Sequence, residues 1–141
     1  MGVEGGIVTR YEILEHPHEH GQAIEAVAHH VALFDHPPGT VAGDRGVHSP
    51  ETEATLAAVG VKRVAIPASG KLSEERKALE HTRPWRRGYR WRAGIEGRIA
   101  SLRRDYGWRT CRYHGQDGME RWLGLGVIES LLRHIAQTIV T

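Results

Sequence analysis

Residues 83–107 form one uninterrupted helical pattern, and its sidedness constrains the fold more than any other part of the chain. At about 100° per residue, Tyr89, Arg92, Glu96 and Arg103 fall within a sector of roughly 60°. A second stripe, Trp91, Ile95, Ile99, Leu102 and Tyr106, is apolar and is expected to face a core. Such a helix buries one side and offers the other to an anion. Ten arginines lie between positions 83 and 112 (83, 86, 87, 90, 92, 98, 103, 104, 109 and 112), against only Glu96 and Asp105. Residues before Gly60 are acidic on balance, so the net charge of +2 hides a basic patch that suits nucleic acid. Arginine is chosen over lysine almost throughout. Its planar fork suits bidentate phosphate contacts, although a GC-rich genome produces the same bias.

A chain of 141 residues is long enough for one domain with a buried core. No apolar run reads as long enough to span a bilayer, because Glu129, Arg133 and His134 interrupt residues 125–139. The start lacks the basic and apolar regions of a signal peptide, and a cytoplasmic location is expected. Cys111 is the only cysteine, which excludes an intrachain disulfide and a cysteine-based zinc site.

Residues 6–15 are rich in β-branched side chains and read as a strand. Residues 21–34 carry Ile24, Val27, Ala28 and Val31 at helical spacing, and Pro37-Pro38-Gly39 ends that helix. Residues 40–43 form a short strand that delivers Asp44 at its carboxyl end. Ser49 is a strong N-cap, with Pro50 at the first helical position and Gly60 as a left-handed stop. Residues 61–66 are another strand. The order makes residues 1–67 a strand-helix-strand-helix-strand unit, followed by a polar, partly helical connector at 68–82 and the arginine helix at 83–107. A last helix at 117–140 has Ile128, Leu131, Leu132, Ile135 and Ile139 as its expected core stripe. This is an α/β pattern with mostly parallel strands.

Asp44 sits where open α/β sheets place functional groups, but a turn aspartate before a helix fits equally well. Glu96 could pair simply with Arg92 and Arg103. Together the two acids could converge on one divalent ion, which hard carboxylate oxygens suit. His16, His18 and His20 are read as a surface loop rather than a metal site, since Pro17 breaks the geometry. Trp85 and Trp91 could stack on bases, though Trp91 lies on the expected core stripe. Gly94 and Gly97 each cost about 1 kcal/mol relative to alanine in a helix, which suggests close approach of a neighbouring backbone or a DNA strand.

With those acids placed, the chain resembles the catalytic domain of DDE-type insertion-sequence transposases. VAGDRGVHSPE resembles the segment carrying that family's second acid. YRWRAGIEGRIASLRR resembles its tyrosine–arginine–glutamate–lysine signature, with Arg103 standing where the family has lysine. CRYHGQDGMERWLGLGVI resembles its C-terminal region. The resemblance implies a partial ribonuclease H-like fold of three mostly parallel strands with flanking helices, the family's first two strands being absent. Residues 1–141 would then be the C-terminal portion of the catalytic domain. It further implies Asp44 and Glu96 as catalytic residues and ligands of Mg²⁺ (or Mn²⁺). Tyr89, Arg92 and Arg103 would bind DNA, helped by Arg98 and Arg104. The family's first acid lies upstream of the matching region, so metal-dependent DNA cleavage and strand transfer are expected to be lost in this chain alone. The expected partners are DNA, not a membrane, and either a second copy or a full-length transposase. The alternative is a non-catalytic DNA-binding or regulatory module that uses the arginine helix.

Overall fold

A computed structural model describes residues 2–4, 7–13 and 21–140. The chain divides into two compact units, Leu14–Gly94 and Met1–Ile13 with Ile95–Thr141. The architecture is mixed α/β and mostly helical.

In the unit of residues 14–94, helix α1 (Gln22–Phe34) buries Val27 and packs Ala23, Ile24 and Val31 around it. Strand β3 (Thr40–Ala42) follows, then a 3-10 turn at Arg45–Val47, helix α2 (Pro50–Ala58) and strand β4 (Arg63–Ala65). β3 and β4 pair in parallel, Val41 opposite Val64. Parallel partners need a crossover, and α2 supplies it. Ser49 starts α2 as anticipated: its hydroxyl accepts the Thr52 amide at 2.9 Å, with Pro50 in the first turn. Gly60 takes φ +101°, a conformation that stops the helix without β-carbon strain. The core closes on Val27, Leu56, Val61 and Ile66.

The polar connector contains helix α3 (Glu74–His81), started by Ser73, whose hydroxyl accepts the Arg76 amide. Helix α4 (Arg83–Asp105) supplies its first turns to this unit and its later turns to the other. Gly88 is what lets α4 lie against the sheet. A β-carbon there would stand 3.1 Å from Ala65 Cβ and Thr40 Cγ2 and 2.9 Å from Arg63 Cδ.

In the unit of residues 1–13 and 95–141, strands β1 (Gly2–Glu4) and β2 (Ile7–Arg10) pair antiparallel. The expected sheet of three mostly parallel strands is therefore corrected: the described strands form two two-stranded sheets, and β2 belongs to the antiparallel one. The sequence carries a reason. Gly5-Gly6 separates the Gly2–Glu4 segment from the β-branched run Ile7-Val8-Thr9, a spacing that favours local pairing over a distant parallel partner. The rest of the expected strand is irregular at residues 11–13, and residues 14 and 15 lie outside the described residues.

Helix α5 (Gly115–Val140) corrects the sequence reading twice. Its buried residues are Gly118, Gly126, Val127 and Ser130, with Leu131 packed on the cluster of Val8, Leu102 and Val127. The expected core residues Ile128, Leu132, Ile135 and Ile139 are exposed instead. Small residues decide this orientation. Gly124 and Gly126 admit Tyr11 and Trp108, and the Trp108 indole donates to Leu123 O at 2.9 Å. By length and composition α5 is also apolar enough to cross a membrane, which corrects the reading that no such run exists.

Candidate nucleic-acid interface

At the carboxyl edge of the β3–β4 pair, Asp44 follows β3 and opens the 3-10 turn with extended backbone. Its side chain is 69% exposed and is ion-paired through Oδ1 to Arg92 Nη1. Arg92 also lies over the Tyr89 ring, 5.5 Å from its centroid. Tyr89 in turn stacks on Trp85 at 5.3 Å and 16°. Trp85, Tyr89 and Arg92 stand at i, i+4 and i+7 on α4 and so share one face. The result is a column, indole on phenol on guanidinium, ending at a strand-end carboxylate. A guanidinium held from behind by a ring loses less side-chain freedom when it binds an anion.

Sequence reasoning missed Trp85's part in this column, although its spacing from Tyr89 and Arg92 carries the signal. Trp85 is buried, so it does not offer a face to bases. Trp91, expected in the core, is 46% exposed. Seating α4 on Trp85 and Gly88 turns Trp91 roughly 120° away from Trp85, out of the packed face. Gly94 and Gly97 have nothing within 4 Å of an added β-carbon, so packing among the described residues does not account for them.

Glu96 is exposed and belongs to the other unit, one turn beyond Arg92 on α4. Arg98 is half-buried, and Arg103 and Arg104 are exposed. Arg104 is paired with Asp105 at 2.8 Å; that hydrogen-bonded guanidinium holds the Asp105 carboxyl below the usual carboxylate range. Between α4 and α5, within this unit, a polar groove of about 400 Å³ is lined by Arg98, Ser101, Asp105, Arg133, His134 and Gln137. The sequence reading did not anticipate the α5 side of that groove.

The donor set does not fit a resident metal pair. Among the described residues no group of three histidine, cysteine, aspartate or glutamate side chains could hold an ion. Asp44, the strand-end acid, is matched by a guanidinium. His16, His18 and His20 lie outside the described residues, while His30 packs against Phe34 and His36.

A parallel strand pair with an acid at its carboxyl edge and an arginine-bearing helix seated on it defines an α/β protein of the kind that gathers charged groups at strand ends. The chain belongs to the transposase DDE domain family, whose model matches residues 2–131. That family acts on DNA and generally uses a divalent metal. No curated relative and no solved structure matches the chain.

Proposed function

We propose that the chain is a DNA-binding portion of a transposase catalytic domain that grips phosphates and does not cut DNA on its own. In this reading the β3–α2–β4 crossover is part of a ribonuclease H-like sheet. Arg92, steadied by Tyr89, and the arginines at 98, 103 and 104 bind the backbone of a transposon end. Asp44 and Glu96 stand for two of the family's acids. The observation that carries the reading is the Asp44–Arg92 pair, because it joins the two stretches that resemble the family's motifs. Two acids cannot clamp two ions about 4 Å apart, which in-line phosphodiester attack in this chemistry requires. The cytoplasmic location expected of a DNA-acting protein goes with the same reading.

Two experiments test it. Affinity for short duplex DNA is expected to fall with salt, by about 0.9 log units per log of salt for each phosphate neutralised. Arg92→Ala should lower that slope by about 1, whereas Asp44→Asn should leave affinity unchanged or raise it by removing a competing carboxylate. A salt-independent affinity, or an Arg92→Ala variant with the parent slope, contradicts the phosphate grip. Incubation of DNA with the purified chain and Mg²⁺ or Mn²⁺ is expected to yield no nicked or joined product. Cleavage that disappears in both Asp44→Ala and Glu96→Ala would show a complete active site instead.

The same ion pair favours a second reading, a regulatory DNA-binding module, since a guanidinium occupies the carboxylate that a metal would need. Glu96→Gln separates the two. The regulatory module is indifferent to it with or without metal. The transposase site gives a DNA affinity that responds to metal in the parent and not in the variant.

A further inference from the structure

The polar groove between α4 and α5 lies inside the unit of residues 1–13 and 95–141 and has a guanidinium on each wall. Arg98, Ser101 and Asp105 stand at i, i+3 and i+7 on α4 and share a face; Ser130, Arg133 and Gln137 do the same on α5. Asp105 is the one acid among the described residues that line the groove, and it is already matched. Arg104 holds both of its oxygens, at 2.8 and 2.9 Å, and Ser101 donates to it at 3.1 Å. Arg133 forms no ion pair among the described residues. The groove is therefore cationic. Ser130 is only 4% exposed yet lines it, and among the described residues its hydroxyl has no hydrogen-bond partner. A buried hydroxyl ordinarily has one.

We propose that this groove binds a terminal phosphate monoester, the 5′-phosphate of a nucleotide, free or at the end of a DNA strand. A monoester carries nearly two negative charges at neutral pH and three acceptor oxygens. Those match guanidiniums on both walls together with the Ser130 hydroxyl, and guanidinium forks on a phosphate are the strong kind of hydrogen bond. A diester within a strand carries a single charge, and its two ester links keep it from turning oxygens to both walls. The groove, at about 400 Å³, has the size of a small-ligand site and leaves room for sugar and base beyond the phosphate. Tyr106 and His134 also line it, and such rings carry a base by stacking. The column of Trp85, Tyr89 and Arg92 belongs to the other unit. Arg98 serves both the backbone grip and the groove, so the test rests on Arg133 and Ser130, which belong to the groove alone.

Isothermal titration of the full chain with deoxyadenosine 5′-monophosphate is expected to show binding, and deoxyadenosine none. Arg133→Gln should weaken the nucleotide roughly tenfold or more, the scale of a lost charge-assisted contact. Ser130→Ala should weaken it about fivefold. Arg133 is exposed, so its substitution spares the fold if Ser130→Ala does not. Duplexes with and without a 5′-phosphate separate the two sources. A preference for the phosphorylated duplex that Arg133→Gln abolishes assigns the strand end; equal duplex affinities with nucleotide binding retained assign the free nucleotide. Absence of nucleotide binding at millimolar concentration, with no preference between the duplexes, overturns the proposal. So does binding that neither substitution weakens, or deoxyadenosine binding as tightly as its phosphate. Such a failure leaves the salt-dependent duplex affinity standing, whereas an Arg92→Ala variant with the parent salt slope removes the backbone grip and leaves the groove untouched.

Discussion

Arg76→Ala is expected to destabilise the unit of residues 14–94 by about 3 kcal/mol, the scale for breaking a largely buried ion pair. The Arg76 side chain is 15% exposed and is fully engaged. It donates to both oxygens of Glu53 at 2.8 and 2.7 Å, to Glu80 at 2.9 Å and to Ile66 O at 2.8 Å. Glu80 also accepts the Ala68 amide at 2.9 Å. One guanidinium therefore ties α2, the segment after β4 and α3 together. Its removal leaves two carboxylates close to each other and a backbone carbonyl without its donor.

The pH dependence follows from Glu80. Burial pushes its carboxyl up, but the Ala68 amide and Arg76 outweigh that and hold it below the usual 4.5. A depressed carboxyl contributes stability that is present above its unfolded value and is lost as pH falls through the folded one. Urea midpoints of parent and Arg76→Ala should therefore differ most near neutrality and converge as pH drops below about 4.5. A gap that stays constant into acid would remove Glu80 from the account. The loss should also weaken DNA binding, because Ser69 in the same segment donates to Arg45 O beside Asp44.

Two alanine substitutions, on α5 and α4, should move stability in opposite directions. Gly126→Ala places a β-carbon 2.7 Å from both Tyr106 O and Trp108 Nε1. A backbone carbonyl cannot step aside, so the substitution disturbs the Trp108–Leu123 hydrogen bond and costs about 2 kcal/mol net of helix propensity. Gly97→Ala meets open space and should stabilise by about 1 kcal/mol. Tryptophan-monitored urea unfolding reads both. Equal shifts of the same sign would show that α5 does not rest on its glycine face. If Gly97→Ala stabilises the chain yet weakens DNA binding, close approach of a DNA strand at that open face explains the glycine.

Local signals were legible wherever chemistry acts within a few residues. Ser49-Pro50 at the start of α2, Gly60 at its end, the 3-4 spacing of α1 and the long arginine helix all follow from short-range sterics and hydrogen bonding, and each appears in the structure. The sequence expectation for Asp44 was convergence with Glu96 on one divalent ion; the contact the structure gives it is the ion pair with Arg92. Asp44 and Glu96 fall in different units.

What the sequence by itself determined is which segments are helical, where they start, and that positive charge concentrates on α4. Only the tertiary structure decided which face of each helix is buried and which strands pair. Periodicity reports that a stripe is apolar, not what covers it. On α5 the glycines at 124 and 126 let aromatic rings approach the smaller face more closely than the leucine–isoleucine stripe could. On α4 the contact at Gly88 rotates Trp91 outward. At the amino end, a hairpin partner a few residues away closes a shorter loop than a parallel strand dozens of residues distant, and loop-closure entropy favours the nearer one.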